Sequence, residues 1–214
     1  MSGFWHHEVV KKWQPTYYCF SDPAYFDGSE PMRESFRSLT SRVYDSTFFV
    51  PLHGRSVIQS QHLLPAEKLY WVDFRDDLSN RNFAQGEIDF TSFIPSAMSV
   101  SQLGIMAAIY MGCSPIYLLG HDHDWLSHQG EAGHFYNGHG GLETHPEFKP
   151  MLSDWSYKFI MECQLRLWSG YENLLEIARH KGIRIVNATN GGFLDVFERA
   201  DYPKLLEDGN ASEI

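Results

Sequence analysis

The feature that most constrains this chain is a rhythm of short apolar runs, most of them closed by a polar residue or a glycine. Tyr17-Tyr18-Cys19-Phe20 ends at Ser21-Asp22-Pro23, and Thr47-Phe48-Phe49-Val50 ends at Pro51. Leu69-Tyr70-Trp71-Val72 ends at Asp73, Ile116-Tyr117-Leu118-Leu119 at Gly120, and Ile183-Arg184-Ile185-Val186 at Asn187-Ala188-Thr189. Runs this short, rich in aromatic and β-branched residues, read as buried strands. Helical spacing fills several of the intervals. Pro31 to Tyr44 carries Met32, Phe36, Leu39 and Val43 on one face, with Pro31 in the first turn. Ser96 to Met111 is apolar almost all round and stops at Gly112, as a helix lying deep against a sheet does. Asp154 to Lys181 predicts one long helix, capped by Ser153 or Asp154 and stopped at Gly182, with a break at Ser169-Gly170 as the alternative.

Strands alternating with helices predict a Rossmann-like α/β fold, a mainly parallel sheet with helices on both faces. The expectation is a single domain over residues 1–200 and an acidic, flexible tail over 201–214. Two polar stretches, Arg75 to Phe93 and Leu126 to Pro150, are predicted to be long loops. Ligands of such sheets sit beyond the carboxyl ends of the strands. Those ends carry Ser21-Asp22, His53, Asp73, Gly120 to Asp124, and Asn187 to Thr189, a polar rim on an apolar sheet.

Three groups on or near that rim could carry chemistry. Ser99-Val100-Ser101-Gln102 opens the apolar helix, where hydroxyls and unpaired N–H groups favour an anion; simple N-capping explains the same residues. In Gly120-His121-Asp122-His123-Asp124, the glycine permits close approach to the backbone. Asp122 and Asp124 suit a hydrated Mg²⁺ or a sugar hydroxyl, and the His121–His123 pair suits another divalent metal such as zinc or nickel. A polar turn held by one Asp is the plainer alternative. The loop beyond holds His128, Glu131, His134, His139 and His145; a near-neutral imidazole suits acid–base work, but the spacing fits no zinc template. Arg33, Arg37 and Arg42 fall on one helix and are expected to face solvent, while Arg55, Arg75 and Arg81 fall in loops near strand ends, within reach of a phosphate. There is no GxGxxG, no Walker lysine loop and no GxSxG.

The net charge of −10 argues against nucleic acid as a partner, because phosphate backbones are repelled. Three widely spaced cysteines indicate neither a disulfide framework nor a cysteine zinc site. The longest apolar stretch, Leu103 to Met111, is too short to span a bilayer, and no signal peptide is legible. The expectation is a cytoplasmic chain without a transmembrane segment, peripheral at the inner membrane face only through a partner. Aromatics at Phe4, Trp5 and Trp13 point either to a covered surface or equally to an exposed core, and a homo-oligomer is among the expected partnerships.

Several pieces together carry a resemblance. They are Trp13-Gln14-Pro15-Thr16-Tyr17-Tyr18 with Ser21-Asp22-Pro23, and Ser99-Val100-Ser101 leading through Ala107-Ala108-Ile109-Tyr110-Met111-Gly112 to Ile116-Tyr117-Leu118-Leu119-Gly120-His121-Asp122. His134-Phe135-Tyr136, and Asn187-Ala188-Thr189-Asn190-Gly191-Gly192 with Leu194-Asp195-Val196-Phe197, complete the set. From about Trp13 to Tyr202 the chain resembles bacterial proteins grouped with the archaeal 6-hydroxymethylpterin diphosphokinases. It is also similar to CMP-sialic-acid-dependent sialyltransferases and to Maf-type flagellin glycosyltransferases. The resemblance implies a nucleotide or nucleotide-sugar donor and a glycan or glycolipid acceptor. It implies nucleotide contacts for Asp22, a turn at Ser99 and Ser101 that holds the donor phosphate or sugar carboxylate, and a positioning acid at Asp122. With Gln102, Gly120, Asn187 and Thr189 from the rim, these form the expected binding set. The catalytic histidine is implied at His134 or His139, in a stretch one residue longer than the family's. The sequence departs from these families in lacking their opening strand and Gly-Asn-Gly-Pro-Ser turn. Two other readings stay open: a Mg²⁺-dependent pyrophosphokinase acting on a pterin-like alcohol, and a non-catalytic domain that binds a nucleotide or sugar.

Overall fold

The structure is a computed structural model that describes residues 4–80, 87–124 and 156–207. Four strands, β1 (Tyr17–Cys19), β2 (Thr47–Pro51), β3 (Leu69–Asp77) and β4 (Phe93–Ser96), form a parallel sheet in that order. Three more, β5 (Ile116–Leu118), β6 (Ile185–Asn187) and β7 (Glu198–Arg199), form a second parallel sheet. The helices are α1 (Glu30–Arg42), α2 (Arg55–Gln61), α3 (Val100–Tyr110), α4 (Tyr157–His180) and α5 (Tyr202–Glu207). The fold is a Rossmann-like α/β fold, although the parallel strands fall into two sheets rather than one.

Strand alternation distributes the first sheet's side chains to two cores. Tyr18, Phe48, Val50 and Trp71 pack with Phe36, Leu39 and Val43 of the α1 region and Ile58 of α2. Cys19, Phe49 and Val72 face the other way, onto Leu103 and Met106 of α3 and Leu174 and Ile177 of α4. Ile116, Leu118 and Ile185 of the second sheet join that same core, so α3 and α4 bind the two sheets together. The chain steps outward from β1 to β4, and α3 then carries it back against β1 on the way to β5. Such a reversal is where open α/β sheets place their ligands.

The predicted helix over Pro31 to Tyr44 is α1, with Met32, Phe36, Leu39 and Val43 all buried. The predicted long helix is α4, capped by Ser156, whose Oγ accepts the Phe159 N–H at 3.2 Å; Ser153 and Asp154 lie outside the described residues. No break occurs at Gly170. The missing side chain there lets α4 press against Gln102 of α3, whose amide a Cβ would strike. The expected loop over Arg75 to Phe93 is corrected at both ends. β3 runs on to Asp77 through an irregular register, and Phe93 opens β4. Polar residues at a strand's exposed end carry no alternation, and Pro95 is tolerated because β4 is an edge strand. α2 escaped notice because a single buried residue, Ile58, gives seven residues no period. β7 follows the last predicted strand, tied to it by Arg184 Nε, which donates to Glu198 at 3.0 Å. Trp5 is buried and Trp13 is 54% exposed. No described helix is long and apolar enough to cross a membrane.

Candidate functional site at the strand ends

The site grows from the start of α3. Ser99 caps the helix, its Oγ accepting the Gln102 N–H at 3.3 Å, which is worth about 1 kcal/mol to the helix. Among the described residues, the Val100 and Ser101 N–H groups take no partner. They leave the positive end of the helix dipole open at the carboxyl edge of β4.

Tyr171 of α4 reaches this point. Its ring is fully buried, and its Oη lies 3.2 Å from Ser99 Oγ and 2.7 Å from His123 Nε2. The Ser101 hydroxyl, like that of Ser99, favours the ionised phenol. Burial pushes the phenol up to about 12, against the opposing pull of the two serine hydroxyls, so it keeps its proton. Desolvation lowers the His123 pKa, which Asp122 and Asp124 oppose. His123 is thus favoured as a neutral imidazole, with its ring against Tyr171 (centroids 5.3 Å apart) and edge-on to Trp168 (5.9 Å).

The β5 end is held from the second sheet. His121 N–H donates to Thr189 Oγ1 at 2.9 Å, and Thr189 N–H donates to Asn187 Oδ1 at 3.0 Å. Asn187 Nδ2 donates to the Leu194 carbonyl at 3.0 Å. The Phe193 N–H donates to the Asp122 carbonyl at 2.7 Å. Gly192, at φ +79°, lies against the Asp122 backbone so closely that a Cβ has no room. Burial pushes His121 down to about 4, only partly offset by the Leu119 carbonyl beside its Nδ1.

The residues expected in the site therefore separate. Ser99, Ser101 and His123 converge around Tyr171. Asp122 is exposed nearby, with its Oδ1 accepting the His123 N–H at 2.8 Å. Gln102 is fully buried, accepting the Met98 N–H at 2.8 Å and donating to the Leu167 carbonyl at 2.9 Å, so it ties α3 to α4. Asn187 is also fully buried and, with Thr189, orders the loops. Gly120 takes φ +70° with open space before it. Asp22 caps the short 3-10 turn after β1 through the Ala24 N–H at 2.9 Å. His134 and His139 lie outside the described residues, as do His128, Glu131, His145 and Arg81.

Two of the arginines, Arg33 and Arg37, lie on the surface as expected, and the other described ones of the expected set are differently employed. Arg33 and Arg37 pair with Glu30 on the surface of α1. Arg42 instead folds back to Glu8 and the carbonyls of His6 and His7, holding the opening segment down. Arg55 begins α2 and lies over Trp71; Arg75 lies within β3, paired with Asp73.

No three described His, Cys, Asp or Glu side chains are placed to share a metal ion. In the expected set His121, Asp122, Asp124 and His123, the Asp122 Oδ1 and His123 Nε2 atoms already have protein partners. The fit of these residues to a divalent ion is poor.

Sequence reasoning missed Tyr171 and Trp168. Both lie inside the predicted long helix, where aromatics read as core. The available signal was a hydroxyl on the apolar face, since buried phenols need a partner. Trp168 Nε1 donates to Asp195 Oδ1 at 2.9 Å, and beyond it opens a groove of about 530 Å³ lined by Glu172, Leu175, Glu176, Arg179 and Val196.

Fold and site define a Rossmann-like α/β protein whose strand-end cluster joins a helix N-terminus, two hydroxyls, a phenol and a neutral imidazole. No family model, curated protein or solved structure matches the chain.

Proposed function

We propose that the chain is a glycosyltransferase-like protein that takes a nucleotide-activated sugar, first of all a CMP-sugar. It passes the sugar to a glycan or glycolipid hydroxyl in surface polysaccharide or glycoprotein biosynthesis. The observation that carries this reading is the convergence of Ser99, Ser101, Tyr171 and His123 at the start of α3. Helix N-termini with open N–H groups suit phosphate, and a desolvated site strengthens each hydrogen bond made there.

In the transfer, the acceptor oxygen bonds to the sugar's anomeric carbon as the bond from that carbon to the phosphate oxygen breaks. The acceptor proton passes to a histidine, and the electron pair leaves with the phosphate. The α3 N-terminus would take that charge. The resemblance assigns the base to His134 or His139. The groove beyond Trp168 would take the acceptor, because an indole face and carboxylates suit the faces and hydroxyls of sugars.

Thermal melts with CMP, CDP, UDP and GDP test the reading. A rise in midpoint with one of them, saturating with concentration, is expected. No shift with any of the four would contradict it.

A further inference from the structure

The parallel strands break into two sheets at β1 and β5. β1 pairs with β2 alone, and β5 with β6 alone. The register shows which peptide groups the break leaves open. Thr47 N–H donates to the Thr16 carbonyl and Phe20 N–H to the Phe49 carbonyl. The even-numbered residues of β1 therefore bond to β2, and the Tyr17 and Cys19 peptide groups point away from it. Ile116 N–H donates to the Arg184 carbonyl and Ala188 N–H to the Leu118 carbonyl, so the Tyr117 peptide group points away from β6. Among the described residues nothing pairs with the Cys19 or Tyr117 N–H. Yet Cys19 is only 8% exposed. A buried peptide group without a partner is costly, and folded chains pair nearly all of them. Open strand edges of this kind are templates for another strand.

Both edges lie on one core. Cys19 of β1 and Ile116 and Leu118 of β5 share a buried cluster with α3 and α4, and α3 packs against β1 before leading into β5. The two sheets also point the same way. Ser99, beyond β4, and His123, beyond β5, meet at the Tyr171 hydroxyl, so the carboxyl ends of both sheets share a side. We infer that the open edges of β1 and β5 bound a slot for one more parallel strand, supplied by a partner polypeptide, which pairs with Cys19 on one side and Tyr117 on the other and joins the two sheets into one. The chemistry of that strand is set by what flanks it. Tyr18 and Cys19 face opposite cores, so a strand beside them is covered on both faces and is apolar at successive positions. Residues 1–214 have no such run to spare. The longer apolar runs of the described residues already form strands and helices. Residues 1–3, 81–86, 125–155 and 208–214 hold no more than two apolar residues in a row. A second copy of the chain has the same shortage. The occupant is thus an extended segment of another protein, rich in Val and Ile, bound by strand addition. The slot does not depend on the function proposed above.

The test is hydrogen exchange of the full chain, read amide by amide by NMR. In the chain alone, the Cys19 and Tyr117 amides are expected to exchange at least about tenfold faster than the paired amides of Tyr18 and Leu118. The probe is a synthetic peptide of alternating Val and Ile with a lysine at each end. It is expected to slow exchange at both Cys19 and Tyr117 by about tenfold or more, saturating with concentration. The same peptide with a central proline, which removes a ladder donor, is expected to have little effect. Slow exchange of Cys19 and Tyr117 in the monomeric chain alone overturns the inference, because the slot is then closed. Slowing that appears only as the chain dimerises assigns the edges to a second copy and overturns the partner. A peptide that leaves both amides unchanged up to its solubility limit overturns it as well. Slowing at one amide without the other means two separate edges and not a shared slot, which also overturns it.

Discussion

His123 Nε2 lies 2.7 Å from the Oη of Tyr171, although the two residues are 48 positions apart and belong to different elements. This contact joins the end of β5 to the middle of α4. It brings an exposed-looking loop histidine under the control of a fully buried phenol. The stability and binding of the site should therefore change together when that phenol is altered.

Tyr171→Phe keeps the ring and removes the hydroxyl that Ser99 and His123 share. Leaving buried partners unsatisfied costs about 1–3 kcal/mol. Urea denaturation should show a loss in that range with an unchanged m-value, while a loss near zero would mean that water replaces the hydroxyl freely.

Gly170→Ala places a methyl group against the Gln102 amide, which bridges Met98 and Leu167. Overpacking of this kind costs roughly 1–3 kcal/mol. Gly104→Ala, with open space around it on α3, should cost nothing and gain a few tenths, since alanine favours helix by up to about 1 kcal/mol. Parallel denaturation curves check the contrast.

Gly191 and Gly192 both take positive φ, +76° and +79°, but only Gly192 abuts the Asp122 backbone. Alanine at Gly191 should cost the left-handed penalty alone, about 1–2 kcal/mol. Alanine at Gly192 should cost more, and should also displace the amide signals of Asp122 and His123. Equal effects at both positions would deny that Gly192 shapes the β5 loop.

Acid should destabilise the protein in a defined window. The folded His121 takes its proton only near pH 4, because burial opposes the charge. The unfolded chain takes it near the ordinary value of about 6.5. Between these values the unfolded state binds more protons, so stability is full above about pH 6.5 and falls as the pH drops towards 4. The lowered pKa of His123 acts in the same direction. The loss from His121 is at most on the order of 3 kcal/mol, and His121→Gln should flatten the curve across this window.

Much of the layer order was legible in the sequence because burial writes a period. The four apolar positions of α1 and the all-round apolar α3 are direct records of what they face. β4 and β7 left little trace, since edge strands are short and half exposed. Within the site, Ser99 was legible as a cap and His123 as a rim residue. Tyr171 was not, because a tyrosine on a helix's apolar face gives the same pattern whether its hydroxyl meets a backbone carbonyl or a histidine. The roles of Gln102 and Asn187 were also hidden: both were expected to bind ligand, yet both are fully buried, Gln102 fastening α3 to α4 and Asn187 holding the loop after β6.

In the proposed function, the start of α3 receives a nucleotide's phosphate. Calorimetric titration of each nucleoside monophosphate against its own nucleoside tests it most directly. The account expects one nucleotide, CMP first, to bind at least about tenfold more tightly than its nucleoside, since charge-assisted hydrogen bonds contribute about 1.5–3 kcal/mol each. Equal affinity of nucleotide and nucleoside, or no binding by any nucleotide, would contradict it.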